Sequence, residues 1–154
     1  MSDLTVWRLC RSKYADDAFN GEGAKLYGGR WTMPGIAAVY CAESRSLAAL
    51  EILANIEDWG DFDGIEWSMR AATFPASFVE TPTRFPAQWR RYPHTPETQR
   101  FGSIWVKEAR SVALRVPSAI TPGEFNYLLN PEHPDFAKLT LGRPEPFHFD
   151  PRLL

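Results

Sequence analysis

A chain of 154 residues, 44% hydrophobic and 23% charged, can bury the core of one ordinary domain without staples and is too apolar to be disordered. Its net charge of −2 leaves no electrostatic footprint for nucleic acid. No run nears the roughly 20 apolar residues of a membrane span, and the opening Met-Ser-Asp-Leu-Thr-Val does not make a signal peptide, so a soluble, cytoplasmic protein is expected.

Thr5 to Cys10 alternates and is rich in β-formers, which predicts a first strand. Asp16 to Gly29 holds four glycines with Asn and Asp, and reads as a loop. The Pro34-Gly35 turn then leads into a short strand, Ala37 to Cys41. Ser44 or Ser46 can cap a helix running to about Glu57, and Trp59 to Gly64 reads as a turn. Ile65 to Phe74 predicts an amphipathic strand, with Ile65, Trp67, Met69 and Ala71 facing inward and Glu66, Ser68 and Arg70 outward.

Five prolines between Pro75 and Pro96 predict a long surface excursion, covering about residues 75–98. Its Arg84 to Arg91 segment, with Trp89 and Tyr92, is the only dense basic cluster; it reads as a solvated loop sooner than a contact surface. Phe101, Ile104, Trp105 and Glu108 predict a helix over Gln99 to Ala109, weakened by Gly102. Val112 to Val116, Phe125 to Leu129, Lys138 to Leu141 and Phe147 to Phe149 follow as strands. The order implies a single α+β domain over 1–154, rich in antiparallel strands.

Two features carry chemistry. Leu47 to Ala54 is an apolar run with one polar side chain, Glu51, which helical spacing aligns with Leu47, Leu50 and Ala54 on the stripe expected to face the interior. A buried carboxylate needs a partner and a reason. Upstream, Gly28-Gly29-Arg30-Trp31 puts one arginine on a glycine-rich approach, which together with Glu51 suggests a site for a phosphate-bearing ligand. The loop is not a dinucleotide fingerprint, since no GxGxxG opens a helix after a strand. Unaided, Gly-Gly-Arg reads as a turn with a solvent arginine, and Tyr40 as a core tyrosine. Cys10 and Cys41 lack metal-ligand spacing and read as packed, reduced thiols, so no metal site is expected.

Several fragments in order resemble the RES-domain family. They are Trp7-Arg8-Leu9, Gly23-Ala24, Gly28-Gly29-Arg30-Trp31, Val39-Tyr40-Cys41-Ala42 and Leu47-Ala48-Ala49-Leu50-Glu51. Later come Val116-Pro117-Ser118-Ala119, Asn126 to Pro134, and a closing Phe147-His148-Phe149-Asp150-Pro151-Arg152-Leu153. Thr32 departs from the pattern, which often has Asn there. The resemblance implies a twisted sheet like that of ADP-ribosyltransferases. It also implies a toxin of a bacterial toxin–antitoxin pair that depletes NAD⁺, by hydrolysis or with inorganic phosphate as co-substrate. NAD⁺ is then substrate, and no cofactor is implied. The implied partner is an Xre-type helix-turn-helix antitoxin that covers the active site, giving a hetero-oligomer.

On this reading the catalytic set is Arg30, Tyr40, Glu51 and Ser118. Breaking the nicotinamide–ribose bond builds an oxocarbenium-like cation, which a preorganised carboxylate, Glu51, would stabilise. Arg30 would grip the pyrophosphate with its planar fork, over a backbone kept open by Gly28 and Gly29. The Tyr40 ring could stack on nicotinamide or ribose. Ser118 would orient Glu51 or bind the ligand; without a GxSxG-type setting it is not read as a nucleophile. Trp31 either walls the pocket or fills the core. Asn130 is a secondary ligand-binding candidate, as is His133, although Asn before Pro usually starts a turn. Arg8 reaches the phosphates or pairs within the fold. Rival expectations are transfer of ADP-ribose to a protein, and a non-catalytic module in which arginine and glutamate form a structural ion pair. Ala49, two residues before Glu51, is not the second acid that many protein-modifying transferases carry there.

Overall fold

The first strand, β1 (Asp3–Arg11), lies between two later ones, β2 (Val39–Ala42) and β3 (Trp67–Pro75). The computed structural model describes residues 2–56, 62 and 64–154. β4 (Val79–Glu80), β5 (Ala113–Pro117), β6 (Phe125–Leu129), β7 (Thr140–Leu141) and β8 (Glu145–Phe147) complete the sheet. Its order is β4-β5-β6-β2-β1-β3-β7, with β8 also on β3. Among the described residues only β4 and β5 pair in parallel, so the α+β class with a mostly antiparallel sheet is what forms.

Pairing registers show which residues share a face, because directly opposed residues point the same way. Trp7 opposes Ala42, Ala42 opposes Asn126, and Asn126 opposes Val116. Tyr40, Leu128 and Leu114 form the next row on that face. Two helices cover it. α2 (Arg45–Asn55) packs Leu47, Ala48 and Ala49 over Leu9, Trp67 and Met69, while α3 (Pro96–Glu108) packs Trp105 and Val106 over Leu114, Val116 and Leu128. The other face carries Val6, Val39, Cys41, Ala72, Phe74, Ala113 and Leu129, closed by Ala18, Phe19 and Leu139.

Covering both faces overturns the expectation that β3 is amphipathic. Trp67 and Met69 do face α2, but Ala72 and Phe74 fill the opposite core, Ser68 is buried, and Arg70 reaches the carbonyls of Gly142 and Ala15 at 2.8 Å. The strand also begins at Trp67, two residues after the expected Ile65.

The expected loop from Asp16 to Gly29 contains a short helix, α1 (Glu22–Tyr27), after a 3-10 segment over Ser12–Asp17. Gly21 (φ 76°) and Gly28 (φ 70°) bracket it in left-handed conformations that L side chains resist. Asn20 accepts from the Glu22 amide at 2.9 Å. Two of the four glycines that suggested a loop are the helix's boundaries.

α2 starts after Ser44, whose hydroxyl accepts from the Leu47 amide at 3.1 Å, settling the choice between the two serines. Its expected end at Glu57 and the expected turn from Trp59 lie outside the described residues. α3 begins at Pro96, earlier than expected, with proline in its first turn where no amide partner is lost. Gly102 does not weaken α3: a Cβ there would stand 2.0 Å from the Trp31 carbonyl oxygen, so glycine lets the helix lie against residues 28–32. The excursion contributes β4; residues 81–95 form no helix or strand.

Candidate active site

Glu51 sits at the edge of the buried stripe of α2 rather than in its middle. Leu47 is buried, but Leu50 is 39% exposed and Ala54 is exposed, which corrects the expected orientation. The helix turns Ala48, Ala49, Ile52 and Leu53 to the core and carries Glu51 half-buried beside β6. There its Oε1 accepts from Asn126 Nδ2 at 2.7 Å and from Ser118 Oγ at 3.1 Å. Ser118 follows directly on β5 and is fully buried. Its oxygen accepts from the amides of Ile120 and Thr121, both at 3.1 Å, and from Thr121 Oγ1 at 3.2 Å. With its proton given to Glu51 and its lone pairs taken by a tight turn, Ser118 is an orienting group.

The Gly28–Thr32 turn stands beside Tyr40, on the same sheet face as Asn126. The Tyr40 hydroxyl accepts from the Trp31 amide at 3.1 Å and lies 2.7 Å from Thr32 Oγ1. A Cβ at Gly29 would stand 2.6 Å from that hydroxyl, so glycine is required for the close approach. Gln99 of α3 donates to the Gly29 carbonyl at 3.2 Å, and Ser103 accepts from the Met33 amide at 2.9 Å. Thr32, the departure from the family pattern, supplies a hydroxyl to Tyr40.

Arg30 leaves this turn half-buried and points to the excursion. Its Nη1 donates to the carbonyls of Trp89 at 2.8 Å and Arg91 at 2.7 Å. Between them Arg90 donates from Nε to the Ala119 carbonyl at 3.0 Å, next to Ser118. Residues 89–91 therefore strap one rim of the site to the other. They were read from sequence as a solvated loop; Arg90 and Arg91 are indeed exposed, and the backbone of the loop in addition fixes Arg30.

Burial works against the Arg30 charge, and the Glu51 carboxylate and Tyr40 partly offset it. A guanidinium stays protonated regardless. Burial also pushes the Tyr40 phenol up to about 12, so it is a neutral hydrogen-bonding group. His94 is held below its usual range by burial and by Arg30. Although Arg30 and Glu51 feel one another, no ion pair joins them among the described residues. Both donors to Glu51 meet Oε1.

Arg30, Tyr40, Glu51 and Ser118 thus come together, with Gly28 and Gly29 beneath them. Four candidates do not join. Trp31 is 2% exposed and its ring lies edge-on to Phe85 and Phe101 at 5.7 and 5.8 Å, so it fills the core instead of walling a ligand. Asn130 is buried against α3, donating to the Val106 carbonyl at 3.3 Å and accepting from the Glu132 amide at 3.0 Å. Its amide is spent on the turn that Asn-Pro signals. His133 likewise accepts from the Asp135 amide at 3.0 Å. Arg8 reaches the Tyr40 carbonyl at 2.9 Å, a contact within the sheet. Sequence reasoning missed Asn126, the strongest donor to Glu51; its signal was a polar residue in the otherwise apolar and aromatic run Phe125 to Leu129. A hollow of about 510 Å³ lined by Asp16, Phe19, Arg70 and Phe136 contains none of the site residues.

A strand-rich layer covered by two helices is also the fold of a chain in a toxin–antitoxin complex of known structure. The toxin–antitoxin complex MbcT–MbcA of M. tuberculosis aligns over 95% of this chain and 85% of that one, with TM-score 0.72 and 18% identity. The RES domain model matches residues 5–150, and the chain belongs to that family. "Toxin Res" of Yersinia enterocolitica is 36% identical over 151 residues, 97% of this chain and 99% of that protein. The "Prs ADP-ribosylating toxin" of a Sphingobium species is 35% identical over 155 residues, 97% and 96% of the two chains.

Proposed function

We propose that the chain is the toxin of a toxin–antitoxin pair and that it consumes NAD⁺ by breaking the bond between nicotinamide and ribose. The observation that carries this is a pair of opposite charges, Arg30 and Glu51, that feel one another yet form no ion pair, each being anchored to other groups. A structural ion pair would have closed that gap, which counts against the non-catalytic module. Arg30 keeps Nε and Nη2 for the pyrophosphate, as a flat fork that matches phosphate oxygens. Glu51 keeps Oε2 toward the ribose, where positive charge develops as nicotinamide departs with the bonding electron pair. Water, or inorganic phosphate, then bonds to the anomeric carbon and gives up a proton, yielding ADP-ribose or its 1-phosphate. NAD⁺ enters as substrate, and none of these steps calls on a bound cofactor.

Relatives named as toxins, and a fold shared with a member of a toxin–antitoxin complex, support a partner that silences the enzyme. An Xre-type antitoxin seated over the Arg30 and Glu51 rims would do so. A second reading, transfer of ADP-ribose to a protein, draws support from the printed name of the Sphingobium relative. Ala49, packed in the core two residues before Glu51, offers no second acid to activate a protein acceptor and favours the small-molecule route.

The test is incubation of antitoxin-free protein with labelled NAD⁺, with and without phosphate, followed by mass spectrometry of small molecules and protein. Free nicotinamide with ADP-ribose or its phosphate is expected, and Glu51→Gln should lose about 10²–10³-fold in turnover. Label fixed covalently to a protein would favour the second reading. Intact NAD⁺ under both conditions would overturn the proposal.

A further inference from the structure

Asn126 belongs to no described role, and its geometry is unusual. Its backbone is locked in the middle of the sheet, opposite Val116 on one side and Ala42 on the other. Its Nδ2 donates to Glu51 Oε1 at 2.7 Å, the shortest contact that carboxylate makes with the protein. Its Oδ1 is buried and accepts no hydrogen bond. The amide cannot be turned over to satisfy that oxygen, because carbonyl and carboxylate would then face each other, acceptor against acceptor. A buried carbonyl left without a donor is costly, and native proteins keep few of them.

We propose that Asn126 is a positioning residue for Glu51, a role that rests on the NAD⁺-cleaving reading above. Nδ2 pins one carboxylate oxygen, so Oε2 keeps a fixed direction toward the developing cation. The bare, enclosed Oδ1 is the cost of holding Nδ2 on the carboxylate. A group placed by a central strand moves less than one on a loop, which is what preorganised charge stabilisation requires.

The experiment compares NAD⁺ cleavage by wild type, Asn126→Ala and Asn126→Asp across pH, with thermal melts as folding control. Aspartate conserves volume but brings a second carboxylate against Glu51, so the new acid holds its proton to unusually high pH. Once protonated, it donates and accepts as the carboxamide does. Asn126→Asp is therefore expected to lose on the order of 10–100-fold in kcat at mildly alkaline pH, with the deficit narrowing as pH falls. Asn126→Ala should lose a similar factor at every pH.

A merely structural asparagine would lower the melting temperature in both variants without a pH-dependent deficit in aspartate, and that pattern overturns the inference. So does an active wild type whose variants match it in kcat and pH profile, and in that case the proposed function stands. A wild type that leaves NAD⁺ intact overturns both.

Discussion

Ser118 gives its one hydroxyl proton to Glu51 at 3.1 Å while its oxygen collects the amides of Ile120 and Thr121. The serine links a strand-end turn to the carboxylate and has no lone pair left to attack a substrate. Ser118→Ala removes one donor from Glu51 and leaves two amides without their acceptor. An unmade bond of this kind costs about 1–3 kcal/mol, so turnover should fall about 10–100-fold, and urea titration should show a loss of stability alongside it.

Arg30 is held by two backbone carbonyls, at 2.8 and 2.7 Å, which lysine's single ammonium on a flexible stem cannot reproduce while also meeting a phosphate. In Arg30→Lys the KM for NAD⁺ should rise at least about tenfold, given the ~1.5–3 kcal/mol of a hydrogen bond to a charged group. Steady-state kinetics would show whether kcat, set by Glu51, changes less than KM. A larger effect on kcat would place Arg30 at the reacting bond instead of the pyrophosphate.

Burial lifts the Tyr40 phenol from 10.0 to about 12 and the Cys41 thiol from 9.0 to about 12. The unfolded chain surrenders these protons at the lower values and the folded chain retains them. Stability contributed by this difference is whole below about pH 9 and drains away as pH climbs toward about 12. Denaturant midpoints measured across that range should fall, and Cys41→Ala should flatten the early part of the decline. Tyr40→Phe should flatten the later part, while starting lower because the Trp31 amide and Thr32 hydroxyl lose their partner.

Gly102→Ala sets two effects against each other. Alanine favours helix by about 1 kcal/mol. Its Cβ, however, would stand 2.0 Å from the Trp31 carbonyl oxygen, a backbone atom that cannot swing aside. Overpacking costs about 1–3 kcal/mol, so the variant should melt at lower temperature. Since the displaced backbone adjoins Arg30, NAD⁺ cleavage should fall too; an unchanged or higher Tm would refute the packing account.

Elements with a strong period were legible from residues alone. Phe125 to Leu129 formed at the expected bounds, and a serine cap for α2 followed from residue type, with Ser44 and Ser46 left as alternatives. Where sequence reasoning failed, longer-range contacts decided. Four glycines looked like a loop because the role of two of them, Gly21 and Gly28, as helix boundaries depends on backbone sign, which composition does not carry. Glu51 was placed on the wrong part of its helix because the edge of the buried stripe depends on where β6 runs. Asn126 escaped notice because a single polar residue on a strand acquires meaning only from the carboxylate opposite it. Arg30 was singled out from its glycine-rich setting opposite Glu51, although a solvent turn was the commoner reading; Tyr40 and Ser118 entered through family resemblance.

The sheet with an interior on both sides has a cost in alignment. On a half-exposed sheet, a one-residue slip throws oily side chains into water and is self-correcting. Here such a slip between β1 and β3 would merely exchange one greasy compartment for another. The opposed pair Arg8 and Arg70 supplies the missing key, since each guanidinium finds backbone oxygens only on its present side. Two cations thereby hold the strands in step.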